Sequence, residues 1–348
     1  MCSARKFADG RMVAYNYGRV TSLATDPVEK KPLYHFRPGT EIFSVGGLGC
    51  NLSCRYCQNW PITTSFSGKK RATFKGPEEL VSMCREQGLD AIAFTYNEPS
   101  IWLEYVEDVA AVDRDLAIVL VTNGSFSPEV AKDACRYTRA MNIDVKSFSD
   151  GFYKTICGGD LDTVKATCET VFGEGTHLEL TYLVIPGYND EPAEISKFVE
   201  WVRDSLSPDV PVHFTRFHPD YQMEYVPMTP PETLDRCLEI SENLGLNYPY
   251  VGNIMMADGS DTYCPECGAV LVRRTGYRVE IVGLSGNRCS CCKARVNFRW
   301  RSPRCARLRI PPSGTPRTGT GGTPGPTSRS RPCSNPPDPY RGYLLPGP

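Results

Sequence analysis

The sequence predicts an α/β protein built on a parallel sheet, closed fully or partly into a barrel, and three observations carry the prediction. Between Glu41 and Gly252 short β-branched runs alternate with amphipathic helical stretches, the pattern of repeated βα units with right-handed crossovers. Polar clusters follow most of those runs, as expected where chemistry gathers at the carboxyl ends of parallel strands. Composition then changes after residue 300. The last 48 residues hold 12 Pro, 7 Gly and 8 Arg, with Asp338 the only acid. A disordered tail is expected over 301–348, because so few large apolar side chains cannot offset the entropy of ordering.

Glu41 to Val45 reads as the first strand and leads into a cysteine loop. Pro77 to Gly88 follows as a helix with Leu80, Val81 and Cys84 on one face. Strand Ala91 to Tyr96 precedes helix Ile101 to Asp113, and strand Ala117 to Thr122 precedes helix Pro128 to Thr138. Next come strand Ala140 to Val145, helix Leu161 to Phe172, the apolar run His177 to Ile185 and helix Glu194 to Ser205. Strand Val212 to Phe217, helix Pro231 to Leu244 and a last strand at Tyr248 to Val251 end the series. The expected domains are an N-terminal extension over 1–40, a core barrel over 41–253, a small cysteine-bearing module over 254–300, and the tail.

The chain carries a net charge of −1. Eight arginines against one acid give the tail +7, which leaves −8 for the first 300 residues. The folded part is thus mildly acidic, and nucleic acid is not an expected partner. The basic tail suits nucleic acid or an anionic surface, but an unselected or misread extension explains it at least as well. No apolar run reaches the roughly 18 residues needed to cross a bilayer, and Met1 opens no charged, apolar, small-residue signal sequence. The 16 cysteines do not suit a disulfide scaffold in a chain this long. A cytoplasmic location, where thiols stay reduced, is expected.

Cys50, Cys54 and Cys57 stand at CxxxCxxC spacing within eight residues. A 4Fe-4S cluster has four iron corners, and three thiolates leave one iron open to another ligand. The bland readings are ordinary zinc ligation or core cysteine. The strand-end clusters are Thr95-Tyr96-Asn97-Glu98-Pro99, Val121-Thr122-Asn123-Gly124, Asp144-Val145-Lys146, Val184 to Asp190, and Arg216-Phe217-His218-Pro219. Each alone is a commonplace of turns and surface strands; five beside one cysteine loop are stronger. Gly124 lets the backbone turn sharply, and Asp144 and Lys146 share one side of an extended chain.

Outside the series lie Cys264-Pro265-Glu266-Cys267-Gly268 and Cys289-Ser290-Cys291-Cys292. Two CxxC pairs flanking a β-rich stretch predict a zinc ribbon closed by Cys264, Cys267, Cys289 and Cys292, with Cys291 spare. A rubredoxin-type iron or a second Fe-S cluster are the alternatives. Cys84, Cys135, Cys168 and Cys237 fall in helices and read as core thiols, while Cys157 falls in a loop with no evident partner. Cys305 and Cys333, in the tail, read as nonfunctional. Trp60 and Phe66 either cover the cysteine loop or merely pack.

With Tyr56 at the aromatic position, the loop resembles the CxxxCxΦC cluster motif of the radical S-adenosylmethionine (SAM) superfamily. The strand-end clusters resemble the branch around pyruvate formate-lyase activating enzyme, which implies a partial (β/α)6 TIM-like barrel. By that resemblance Tyr96, Asn97, Glu98 and Pro99 correspond to the GGEP-type motif at the SAM amino group. Thr122, Asn123, Asp144 and Lys146 correspond to residues near its carboxylate and ribose, His218 to the histidine near the sugar, and Val184 to Tyr188 to the stretch along the adenine. Tyr96-Asn97 departs from the paired glycines, and Val121 from a cation-binding Asp.

The runs Asn16 to Ser22, Asp26 to Phe36 and Cys57-Gln58-Asn59-Trp60, with the CPxCG knuckle, resemble the radical SAM members of the AmmeMemoRadiSam set over nearly all of residues 2–300. In that set more cysteines often precede the position of Cys2. The resemblance implies reductive cleavage of SAM by a 4Fe-4S cluster and hydrogen abstraction from a substrate, with flavodoxin or ferredoxin as electron donor. The substrate is then a glycyl-radical enzyme, as for an activase, or another molecule handled with Memo-like and AMMECR-type proteins. An Fe-S and zinc binding module without turnover is the remaining alternative.

Overall fold

The computed structural model describes residues 4–8, 10–64, 72–254 and 259–301. Eight strands form its main sheet in simple chain order: β1 (Ser22–Pro27), β2 (Glu41–Gly46), β3 (Ala91–Phe94), β4 (Ala117–Thr122), β5 (Thr138–Asp144), β6 (His177–Val184), β7 (Val212–Arg216) and β8 (Pro249–Gly252). Strands β2 to β8 are parallel, and β1 runs antiparallel to β2. The edges β1 and β8 are not paired to each other, so the sheet stays open. The helices α1 (Pro77–Glu86), α2 (Leu103–Val112), α3 (Pro128–Cys135), α4 (Leu161–Gly173), α5 (Pro192–Trp201) and α6 (Pro231–Asn243) alternate with the strands from β2 onward. Six βα units followed by β8 make the expected partial barrel.

Local chemistry sets the helix starts. Proline stands in the first turn of α1, α3, α5 and α6, where its missing N–H costs nothing. Asp160 caps α4 by accepting from Thr163 N–H at 2.8 Å. Strand alternation then separates two cores. Phe43, Val45, Ile92, Phe94, Ile118, Leu120, Met141 and Ile143 belong to one core, together with buried helix residues such as Leu80, Val106 and Val164. The alternate positions Ile42, Ala91, Ala93, Ala117, Val119 and Ala140 pack instead against Val28, Leu33 and Phe36.

That second core explains the small residues on the strands, because the segment 28–37 fills the inside of the sheet. The Tyr34 and His35 N–H groups donate to the Glu179 carboxylate on β6 at 2.8 and 2.7 Å. Asn142 on β5 donates to the Pro32 carbonyl at 2.8 Å, and the Tyr34 ring meets His213 of β7 and Tyr250 of β8. One short segment therefore touches β2 through β8, which requires the sheet to curl around it. Glu179 also accepts from His177 and His213 Nε2, each at 2.8 Å. An ionised carboxylate only accepts, so both imidazoles present N–H there.

Residues 262–301 close the same end. His35 stacks on Phe298 with centroids 4.3 Å apart. Arg299 and Arg37 exchange main-chain bonds with residues 35 and 299, and Arg274 Nη2 donates to the Tyr34 carbonyl at 2.8 Å.

Several expectations need correction. The boundary at residue 40 cuts through a continuous structure, since β1 completes the sheet and 28–37 plugs it. The helix expected to reach Thr138 ends at Cys135, because Thr138 already pairs with Ile118 as the start of β5. Helix 194–205 divides into α5 and a π-helical turn, Val202–Leu206. Cys157 lies in a π-helical turn and has partners. Phe66, Cys305, Cys333 and all of the tail except Arg301 fall outside the described residues. Among the described residues, no helix is long and apolar enough to cross a membrane.

Candidate functional site

The cysteine loop follows β2 and is tied to the carboxyl ends of β3 and β4. Cys50, Cys54 and Cys57 are free thiols, all partly exposed. Asn123, just past β4, donates through Nδ2 to Cys50 Sγ at 3.5 Å and to Asn51 Oδ1 at 2.9 Å, while Asn51 Nδ2 donates to the Ser125 carbonyl at 2.5 Å. Leu52 N–H also reaches Cys50 Sγ, at 3.4 Å, and Cys57 Sγ lies 3.3 Å from Thr63 Oγ1. Burial raises the Cys50 and Cys57 thiols. Hydrogen bonding by Cys157 holds Cys54 at about 7 against burial, with help from the Lys146 charge. Soft, unoxidised sulfurs supported by amide and N–H donors fit an iron-sulfur group.

The residues after β3 brace the site. Glu98 is buried, and its carboxylate accepts from Thr122 Oγ1 at 2.6 Å and from the Asn123 and Ser100 N–H groups at 2.8 Å each. Burial raises its carboxyl, opposed by those hydrogen bonds. Asn97 Oδ1 accepts from Gly47 N–H at 2.7 Å, and Pro99 opens a short 3-10 helix, Pro99–Trp102. Tyr96 adopts φ 71°, a conformation that ordinarily favours glycine. Its hydroxyl donates to Asp26 Oδ2 at 2.8 Å, and Lys31 Nζ sits 4.8 Å from its ring centroid. The paired glycines of the resembling motif are thus replaced by a tyrosine held in a glycine-like backbone. Gly124 has φ 67°, and a Cβ there would lie 2.7 Å from Ile143 Cγ2.

Asp144 and Lys146 pair at 2.6 Å. Burial disfavours the Lys146 charge, but Asp144 and the Cys54 sulfur outweigh it and raise the ammonium above its ordinary value. Val184 and Ile185 are buried, and Tyr188 stands partly exposed with its hydroxyl 2.9 Å from that of Tyr225. His218 is exposed, its Nδ1 2.9 Å from the Pro219 carbonyl. The structure therefore brings Glu98, Thr122, Asn123 and the cysteine loop into one hydrogen-bonded unit, with Lys146 electrostatically linked to Cys54, and leaves His218 outside those contacts. Asn51, Thr63, Gly47 and Cys157 were not singled out as site residues. Only Cys157 had a local signal, the Gly158-Gly159 pair that follows it.

The second cysteine group is a separate cage. Cys264 and Cys292 sulfurs lie 3.5 Å apart, those of Cys267 and Cys289 3.7 Å, and all four fall within 4.8 Å of one another. A tetrahedron of zinc–sulfur bonds of about 2.3 Å has edges of about 3.8 Å, so the cage fits one ion. The N–H groups of Cys292 and Cys291 hold the Cys289 thiol at about 6, ready to bind as thiolate. Elemental analysis of the purified full chain is expected to find about one zinc per chain outside any Fe-S cluster. Cys267→Ser should remove it and Cys291→Ser should not; iron in place of zinc would overturn the zinc assignment.

A family model described as the Radical SAM superfamily matches residues 44–199. Over 301 residues the chain is 38% identical to an uncharacterized protein, MJ0808, of Methanocaldococcus jannaschii, covering 85% of this chain and 90% of that one. The chain belongs to the radical SAM superfamily and is a radical SAM enzyme, a class that uses a 4Fe-4S cluster and SAM. Within that class it is a homologue of MJ0808.

A GTP 3',8-cyclase of Alkaliphilus metalliredigens is 28% identical over 153 residues, 42% of this chain and 47% of the cyclase. The chain thus spans about half the length of that relative. Among solved structures, a domain of pyruvate-formate lyase-activating enzyme from Bacteroides vulgatus covers 46% of this chain, and 98% of that domain is matched, at 17% identity and TM-score 0.41. A radical SAM methyltransferase from Sphaerobacter thermophilus covers 64% of this chain and is matched over 73% of its own, at 17% identity and TM-score 0.46.

Proposed function

We propose that Cys50, Cys54 and Cys57 hold the 4Fe-4S cluster, that SAM lies over the ends of β3 to β7, and that the enzyme takes a hydrogen atom from a glycine Cα of a glycyl-radical partner. The observation that carries this reading is the hydrogen-bonded unit of Glu98, Thr122, Asn123 and Cys50, which joins the cysteine loop to two strand ends. When bound, the cluster held by Cys50, Cys54 and Cys57 would supply one-electron reduction, and SAM the hydrogen-abstracting chemistry.

The chain's own residues position and shield. Glu98 fixes Asn123 against the loop, and Tyr96, Asn97, Pro99, Thr122, Asn123, Asp144, Lys146 and His218 face SAM or support its seat. Lys146, kept cationic beside Asp144, suits a carboxylate. The plug at 28–37 packs Val28, Leu33 and Phe36 against the inner face of the sheet. Flavodoxin or ferredoxin serves as electron donor. The lack of a cysteine-rich insert between Cys57 and Cys84 agrees with an activase of the pyruvate formate-lyase type.

A second reading rests on the C-terminal cage and its CPxCG knuckle, which favour the AmmeMemoRadiSam set and a substrate handled with Memo-like and AMMECR-type proteins. Anaerobically reconstituted protein with dithionite is expected to convert SAM to 5′-deoxyadenosine. Deuterium from a glycine-labelled glycyl-radical partner should appear in that product. Cleavage of SAM with no transfer from the labelled glycine would reject the activase in favour of the second reading, and no cleavage at all would reject both.

A further inference from the structure

The N-terminal plug reaches the candidate site through a buried ion pair. Asp26 of β1 and Lys31 of the plug meet at 2.7 Å with side chains 7% and 2% exposed, and Lys30 Nζ lies 2.9 Å from the other carboxylate oxygen. The Tyr96 hydroxyl donates at 2.8 Å to the same oxygen that Lys31 holds, and Lys31 Nζ stands 4.8 Å from the Tyr96 ring centroid, a cation–π distance. Taking two charges out of water offsets most of their attraction, so such a pair adds little net stability. What it constrains is Tyr96.

Tyr96 needs such a hold. Its φ of 71° is left-handed, a conformation that is costly for a residue with a Cβ and persists only where the surroundings over-determine it. The backbone so bent is zipped to the start of the cysteine loop. Thr95 N–H donates to the Val45 carbonyl at 2.9 Å, Gly47 N–H to Asn97 Oδ1 at 2.7 Å, and Glu98 N–H to the Gly49 carbonyl at 3.4 Å. The Tyr96 side chain lies against Gly46, where an added Cβ would come 2.9 Å from Tyr96 Cδ2. Residues 95–98 thus meet 45–49 along their length, and the contact stops one position before Cys50.

We infer that Asp26, held in place by Lys31, is a positioning residue for the SAM seat: it fixes the Tyr96 hydroxyl and, through the left-handed Tyr96 backbone, residues 95–98 against the cysteine loop. This rests on the seat proposed above. A glycine at this position would adopt the same φ without strain. A tyrosine is strained there and gains a tether to the plug, which makes the N-terminal segment part of the cofactor site as well as of the core.

The test uses the full chain, reconstituted anaerobically and reduced with dithionite. Its readouts are iron content, the thermal unfolding midpoint, and the SAM concentration that half-saturates the change in the EPR signal of the reduced cluster. A wild type that does not load iron, or loads it and shows no SAM-dependent change, rejects the seat itself and the inference with it. With the seat established, Tyr96→Phe is expected to load iron and to need about tenfold more SAM, the scale of one lost hydrogen bond to a charged group. Tyr96→Ala and Tyr96→Gly both lose ring and hydroxyl and differ in how readily they adopt φ 71°. The Gly variant should bind SAM roughly fivefold or more tighter than the Ala variant.

Asp26→Ala should shift SAM affinity as Tyr96→Phe does, and the double variant should add little to either. An unchanged affinity in Tyr96→Phe, equal affinities in the Ala and Gly variants, or full additivity of the Asp26 and Tyr96 changes overturns the inference. So does a Tyr96→Phe unfolding midpoint lowered by more than about 5 °C, which marks a plain structural role. Iron lost from Tyr96→Phe at an unchanged midpoint supports the tether, since the cysteine loop alone has then moved. If Asp26→Ala does not fold, the three Tyr96 variants decide.

Discussion

Replacing Cys50, Cys54 and Cys57 together with alanine is expected to abolish the visible absorbance of the cluster and reduce SAM cleavage to that of the buffer blank. No other described sulfur replaces three ligands on one loop, and SAM cleavage has no electron source without the cluster. Cys84→Ala should leave both signals, because that thiol is buried in α1 and reaches only the Ala91 carbonyl, at 3.6 Å. Anaerobic absorbance and product chromatography on the same preparations check the pair. A SAM-responsive cluster signal surviving in the triple variant would sink the ligand assignment.

Glu179→Ala is expected to destabilise the fold by about 3–5 kcal/mol, the cost of removing one partner from a buried charged network. The carboxylate is fully buried and receives four hydrogen bonds, from two plug N–H groups and two imidazoles. Alanine leaves all four donors without an acceptor. Urea titration followed by tryptophan fluorescence measures the loss, and a change below about 1 kcal/mol would refute the plug as a main determinant of stability.

The same residue sets an acid limit. Burial acts to raise the Glu179 carboxyl, but the His177 and His213 hydrogen bonds and charges outweigh it and hold it below the ordinary range. Its stabilisation is therefore complete above the unfolded-state value of about 4.3 and is lost as pH falls through the folded-state value. Stability of the wild type should drop steeply below about pH 4. Glu179→Gln should flatten that dependence.

The seven parallel strands were legible because each is a short apolar run separated from the next by a helical period. Strand β1 was not. Its sequence, Ser-Leu-Ala-Thr-Asp-Pro, mixes polar and apolar residues on an edge, and only pairing with β2 makes it a strand. The strand-end clusters were legible as positions but not as contacts: nothing in Thr95 to Pro99 says that Glu98 turns to Thr122 and Asn123. The base of the barrel left a trace that went unread. Asn142, Glu179, Thr181, His213 and Thr215 are polar residues inside otherwise apolar runs, all buried. That alternation is the mark of a strand whose second face meets a polar partner.

The meeting of plug and C-terminal module also dictates when this protein can finish folding. His35 Nδ1 lies 3.0 Å from the Asn297 carbonyl, a partner 262 residues away. A ribosome releases the N-terminal segment first, so for nearly the whole of synthesis the Phe298 face of His35 has nothing to cover it. Contacts of such long sequence separation form slowly and leave the nascent chain exposed to misassembly. Elongation past residue 299 is then required before the contacts of His35 and Arg37 with residues 297–299 can form.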